Sequence, residues 1–553
     1  MLTIIFCWVV LFLVIFLIGR LFLSHKLLEF LHLKGGGEWY EYFWVGLVIV
    51  FCILQIWSIF FPVNIYSLIF IFSLALISAV INRKDIFKIP KLNKGFILVS
   101  IPVLLVISYF ASLPVDVYDT YLYHLVAVKW SNSFSVVRGL ANLFWCMGTN
   151  SSFFLFASMI DNWFLKDRSS HIALSLMVSV ISIEFIWILF KSKEESIKWF
   201  IAFAIPLIAI SVMKKTVVVS LSTDLALAIF VLAICIEIVK NNSRSLFIAA
   251  LLSITMLTIK LSGIVFGGGI LLFILYKYFK LNGGKLLKPI LYLVAAGTII
   301  ILPYIVRNIF LSGWPLFPLP AFGLNVAWAM PLPAVQHSYE VLRAFSIWSG
   351  PEWTEFTDLS IWQWFPDWFT RNLQNPTLKV FILSCSLFLI SLFFKVFTKE
   401  RCKENTNLLA LGTVSFLNII YILIKSPDLR YAEIFVWIFF AAIMTMFTMF
   451  ILEKRQEMKK VFIMLAVSIS LVLVWPIRNG GSPLLKSMRW VPQPSTEEIM
   501  IKPIDGSPAF RVYKPLGGSD QCGNADLPCT PWPSNNFKEI VPGDISKGFA
   551  ATD

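Results

Sequence analysis

The sequence predicts an all-α polytopic membrane protein with about 13–14 transmembrane helices, and three observations carry that expectation. Of the 553 residues, 58% are hydrophobic and only 14% charged, against about 25% charged in an ordinary soluble domain. Apolar runs of about 17–22 residues recur along the chain, each able to cross a hydrocarbon core about 30 Å thick. Lys and Arg gather in alternate short connections, the asymmetry that marks cytoplasmic loops. The net charge of +14 is therefore read as topology. No RRM, helix-turn-helix or basic arm accompanies it, so no nucleic-acid partner is expected.

The elements follow in order. The first apolar run, residues 1–19, lacks a basic leader and a small-residue cleavage site, so it reads as a retained span. Spans at 43–61, 64–81 and 95–113 complete an N-terminal four-helix region, 1–113. A first large outer loop, 114–169, leads into core spans at 170–190, 198–212, 222–239, 246–259, 261–276 and 289–306, making up region 170–306. A second large outer loop, 307–377, precedes C-terminal spans at 378–394, 407–424, 432–452 and 461–475 (region 378–475), and a tail covers 476–553. The connections around Arg20, Arg83 to Lys94, Lys191 to Lys198, Lys240/Arg244, Lys277 to Lys288, Lys395 to Lys403 and Lys454 to Lys460 hold just over half of the 46 basic residues. They are assigned inside, which puts both termini and the long non-basic connections outside. Connections longer than about 12–15 residues are usually functional or disordered, so the working surface is expected on the outer face.

In the tail, Cys522 and Cys529 stand seven apart in a polar, turn-rich stretch. An oxidising compartment would join them as a disulfide. A free pair or half a metal site are the alternatives, and no second Cys/His pair lies near to complete a zinc site.

The first outer loop carries the densest chemistry. Asp116 and Asp119 follow the fourth span, with Tyr123 and His124 close behind. On a helix over 117–130, Asp119 and Tyr123 are i,i+4 neighbours with His124 one position further round, an arrangement suited to acid/base work or metal ligation. Acidic residues at a helix N-terminus beside a solvated His account for the same pattern equally well. Lys214, Lys215, Lys260, Arg307 and Arg430 are cations on the expected outer side. Phosphate contact and snorkelling to the interface are the competing readings. Asp224 opens an apolar span either as an N-cap or as an inward-facing carboxylate. The Trp-rich stretch 313–370 reads mostly as an interfacial aromatic belt, with sugar stacking or a helix lying on the membrane as the lesser reading.

A resemblance rests on these residues in order: Asp119-x-x-x-Tyr123-His124, Gly139-Leu140-x-Asn142-Leu143, Gly148-x-Asn150-Ser151-Ser152, Ser222-Thr223-Asp224, Lys260-Leu261-Ser262-Gly263, Arg307-Asn308 with Ser312-Gly313-x-Pro315, Asp428-x-Arg430-Tyr431, and Cys522 to Cys529-Thr530-Pro531. Together they resemble a family of uncharacterised bacterial multi-pass proteins similar to the GT-C superfamily of membrane glycosyltransferases. The chain departs from that pattern at Arg138-Gly139, where Pro precedes Gly, and at Phe144-Trp145-Cys146-Met147, where a more polar segment with Arg is usual.

The resemblance implies a GT-C-like fold in the bacterial inner membrane with a periplasmic active face. It implies a polyprenyl-(pyro)phosphate-linked sugar donor, a glycan or lipid acceptor, and a role in surface polysaccharide synthesis. Asp119, or Asp116 beside it, would activate the acceptor, with His124 and Tyr123 positioning it. Arg307, Arg430 and Lys260 would hold the donor phosphate, with Asn150 and Asp224 as further substrate contacts. The cofactor is unknown, and a divalent ion such as Mg or Mn is compatible with the carboxylates. The rival functions are a transporter or flippase for lipid-linked saccharides and a non-catalytic scaffold.

Overall fold

The computed structural model describes residues 1–23, 37–83, 93–213, 217–281, 287–350, 352–357, 359–393, 405–451, 488 and 493–552. The expected span 461–475, Lys214 and Lys215 lie outside the described residues.

Helices form over the other expected spans. They are α1 (Leu2–Phe22), α2 (Trp39–Phe60), α3 (Ile65–Ile81) and α4 (Lys94–Ala111) in the N-terminal region. The connection 114–169 contributes α5 (Leu125–Ser133) and α6 (Ser152–Ile160). The core follows with α7 (Ala173–Lys191), α8 (Glu195–Met213), α9 (Thr223–Lys240), α10 (Ser243–Ile259), α11 (Ile264–Leu281) and α12 (Leu287–Ser312). The connection 307–377 holds α13 (Leu332–Ile347) and α14 (Ile361–Asn372). Then come α15 (Pro376–Phe393), α16 (Asn405–Lys425) and α17 (Leu429–Ile451). Among the described residues, 8 helices are long and apolar enough to cross a membrane, or 9 if α14 and α15, bent by 102°, count as one span. The chain is thus a multi-pass membrane protein by helix length and composition.

Small residues set the closest helix crossings, as expected where lipid supplies no hydrophobic drive between helices. A Cβ on Gly19 of α1 would lie 1.7 Å from the Tyr42 carbonyl oxygen of α2, and one on Gly46 would lie 1.9 Å from that of Ile15. Further along, α10 and α11 form a tight hairpin. A Cβ on Gly267 would sit 3.2 Å from the Ser253 carbonyl oxygen, and one on Gly263 2.7 Å from Met256 Cε. Lys260 is the residue at its apex, in extended conformation between α10 and a short 3-10 turn.

The tail adds β-structure to the helical body. Strands β1 (Thr496–Ile501) and β2 (Phe510–Pro515) pair antiparallel with Thr496 opposite Pro515. Strands β3 (Phe537–Glu539) and β4 (Phe549–Ala551) pair antiparallel with Phe537 opposite Ala551. Their apolar faces share a core with the connection 114–169, in which Val126, Trp130 and Leu140 meet Phe510, Val512 and Phe549. The expected disulfide joins Cys522 to Cys529 within this unit.

Candidate functional site

Four distant stretches of chain meet at one end of the bundle. Asp119 begins the helix that becomes α5, immediately before a π turn over Thr120–His124; such single π turns are frequent at functional sites. Asp224 occupies the first turn of α9, Lys260 the apex of the α10–α11 hairpin, and Arg430 the first turn of α17. Each is polar where a helix begins or ends, and helix packing brings them together.

Arg430 is the hub. Its Nη1 donates to Asp119 Oδ2 at 3.0 Å, its Nε lies 3.7 Å from Asp224 Oδ2 and 3.6 Å from Asp428 Oδ2, and its Nη2 donates to the Tyr431 hydroxyl at 3.1 Å. Lys260 Nζ pairs with Asp224 Oδ1 and stands 4.0 Å from the centre of the Tyr431 ring. The site thus holds two cations and three carboxylates around one phenol. Burial pushes the Asp428 carboxyl up from the usual carboxylate range, against the pull of Arg430. Asp428 also fixes the start of α17, because its Oδ1 accepts from Arg430 N at 2.8 Å. Asp224 is drawn into this charge cluster, and the N-cap position is Ser222.

The remaining sequence candidates divide clearly. The π turn alters the expected facing of the loop residues: His124 turns into the core, 3% exposed, against Phe154 at 5.0 Å and the edge of Tyr123 at 4.3 Å. Burial pushes the imidazole down to about 4, so it is neutral near neutral pH. Its Nδ1 has no hydrogen-bond partner among the described residues, and His124 is a packing neighbour of the site. Tyr123 packs on Phe154 as well, and burial pushes its phenol up. Asp116 is exposed, outside the charge cluster.

Arg307 and Asn150 form a separate polar centre. Arg307 Nε donates to Asn150 Oδ1 at 3.2 Å and its Nη1 to Ser58 Oγ at 2.5 Å, while Asn150 Nδ2 donates to the Tyr304 carbonyl at 3.3 Å. The expectation that Arg307 and Arg430 share one phosphate finds no common contact among the described residues. Nor is there a group of three or more His, Cys, Asp or Glu arranged for a metal ion among them.

The tail supplies contacts that the sequence did not flag. Tyr118 donates to the Asp520 carboxylate, Gln521 Nε2 donates to the Tyr118 carbonyl at 3.3 Å, and Gly523 N donates to the Tyr121 carbonyl at 2.6 Å. The disulfide loop therefore grips the chain on both sides of Asp119. Two polar residues 402 positions apart leave no local pattern from which such a contact could be read.

With this geometry in view, comparison identifies the family. The family described as Domain of unknown function (DUF8201) matches residues 1–437. The chain belongs to it. That match includes Asp119, Asp224, Lys260 and Arg430 and stops short of the tail. Neither a curated protein nor a solved structure matches the chain significantly.

Proposed function

We propose that the protein is an integral membrane glycosyltransferase of the bacterial inner membrane, GT-C-like with about 13–14 spans. It would move a sugar from a polyprenyl-(pyro)phosphate donor to a glycan or lipid acceptor on the periplasmic face. The observation that carries this reading is the Asp119–Arg430–Asp224–Lys260 cluster at the helix ends. In the reaction, an acceptor hydroxyl oxygen bonds to the anomeric carbon and gives its proton to a carboxylate. The bond from that carbon to the phosphate oxygen breaks, and the phosphate leaves as an anion. Asp119 suits the base role because it is the carboxylate of the connection 114–169 held against Arg430, and general bases typically contribute about 10²–10⁴-fold. Arg430 and Lys260 suit the leaving group, which needs positive charge where negative charge develops. Arg430 is engaged by Asp119, so an arriving phosphate competes for the guanidinium and releases the base.

A transporter would call for charge along a central path. The charge clusters here lie toward helix ends, at the site and at an opposite network in which Glu41 pairs with Lys240 and with Arg244, the latter at 2.7 Å. The test is reconstitution with a polyprenyl-phosphate sugar and an outer-face glycan. Transfer by the wild type that is lost in Asp119→Asn supports the reading. Equal transfer in both removes Asp119 as the base, and no transfer by the wild type removes the reading.

A further inference from the structure

A cleft of about 510 Å³ opens between residues 141–145, residues 330–334 and the tail, within the size range of small-molecule sites. Its lining includes Asn142, Phe144, Trp145, Thr530, Trp532 and Asn536, and none of its lining residues carries a formal charge. The Trp145 and Trp532 rings lie nearly parallel, 9° apart with centroids 6.3 Å from each other, and Phe144 meets Trp532 edge-on at 5.5 Å. Trp532 is 45% exposed, so its ring is available to a ligand. Polar groups adjoin the rings. Thr530 is fully buried and its Oγ1 has no partner among the described residues. Ser534 Oγ accepts from Asn536 N at 3.1 Å, leaving its own O–H to donate. The disulfide adjoins the cleft, since Thr530 directly follows Cys529, and the Thr530 N–H donates to the Tyr513 carbonyl at 3.0 Å.

We infer that this cleft binds a neutral oligosaccharide. A sugar chain presents apolar C–H faces to aromatic rings and hydroxyls to amide and hydroxyl side chains, and it needs no counter-charge. A charged donor finds no partner here, unlike at Arg430. An added peptide strand would need free main-chain groups, but the Thr530 and Thr552 N–H groups are engaged, the latter with the Asn536 carbonyl at 2.9 Å. As a binding site the cleft stands by itself; as the acceptor site it rests on the transferase reading.

The test uses the full chain in nanodiscs with maltohexaose, cellohexaose and chitohexaose, read by saturation-transfer NMR and tryptophan fluorescence titration. At least one sugar binds the wild type. Trp532→Ala weakens it about tenfold, as loss of an aromatic contact predicts, and Asn536→Ala also weakens it. Trp163→Ala, which removes an 83% exposed ring outside the cleft, leaves it unchanged. Three results overturn the inference: no sugar binds, Trp532→Ala binds as well as wild type, or decaproline binds in a Trp532-dependent way where the sugars do not. Asp119→Asn should still bind sugar. Binding without any transfer would remove the enzyme reading and leave the cleft, whereas transfer with an unchanged acceptor KM in Trp532→Ala would remove the cleft and leave the enzyme.

Discussion

Asp119 and His124 are five residues apart, yet the structure gives them opposite fates. The carboxylate faces Arg430 at 3.0 Å, while the imidazole is sealed against Phe154. Asp119→Asn keeps size and hydrogen bonding but removes basicity, so turnover should fall roughly 10²–10⁴-fold. Its thermal stability in detergent should change little, because a partly exposed ion pair is worth about 0–1 kcal/mol. A wild-type rate in that variant would return Asp119 to a helix-end role. Arg430→Ala should instead raise the donor KM, and Arg430→Lys should restore it only in part, because an ammonium lacks the planar fork that matches phosphate. His124 makes a separate pH prediction. Its folded value of about 4 lies below the ordinary 6.5, so between these limits the unfolded chain binds a proton that the folded chain does not. Stability therefore falls as pH drops through this window, by about 1.4 kcal/mol per unit and about 3 kcal/mol in all. His124→Gln lacks this component, so its melting temperature should fall less than that of the wild type between about pH 7 and pH 4.5. Equal falls would show that the ring is not buried neutral.

The helices themselves were legible, because an apolar run bounded by charge encodes both a length and an end. Thus 246–259 and 261–276 were expected on either side of Lys260, and α10 and α11 flank it. Their partners were not legible. Nothing in the local sequence says that Lys260 meets Asp224 or that Arg307 meets Asn150 and Ser58, since those pairings follow from how helices pack. The same gap concealed Glu184, whose carboxylate accepts from Trp44 Nε1 at 2.6 Å inside an otherwise apolar helix, and it concealed the short tail strands. The hairpin element can be tested at its glycines. Gly267→Leu must push against the Ser253 backbone, whereas a Cβ on Gly268 has nothing within 4 Å. Gly267→Leu should cost about 1–3 kcal/mol through overpacking and lower activity by moving Lys260, with Gly268→Leu near wild type. Indistinguishable variants would refute the close approach. The disulfide loop gives a second element-scale test. Cys529→Ser should raise hydrogen exchange at Gly523, whose N–H bonds the Tyr121 carbonyl at 2.6 Å. Unchanged exchange there would mean that the loop is held without the bridge.

Over the whole molecule, charge marks two ends. Helix α9 carries both, with Asp224 in its first turn at the site and Lys240 in its last turn, about 24 Å away along the axis at 1.5 Å per residue. At the far end Lys240 pairs with Glu41 and lies 3.1 Å from Glu237, and Arg244 lies 2.7 Å from Glu41. These cations belong to the basic side that sets orientation, although their ion pairs leave less free charge than residue counting suggests. The proposed orientation puts the far end inside, and the compartment of everything else follows from it. In the proposed orientation Asp119, the oligosaccharide cleft and the disulfide lie outside, where the proposed reaction draws on its lipid-linked donor and where thiols oxidise. Single-cysteine labelling in intact cells checks the arrangement, with Cys402→Ser as background because the free cysteines among the described residues are buried or half-buried. Asn241→Cys, in the exposed turn between α9 and α10, should resist a membrane-impermeant maleimide until the cells are opened. Glu497→Cys, exposed on β1, should label at once. Labelling of Asn241→Cys in intact cells would invert the orientation and move Asp119 to the cytoplasm, and the outer-face acceptor would fall with it.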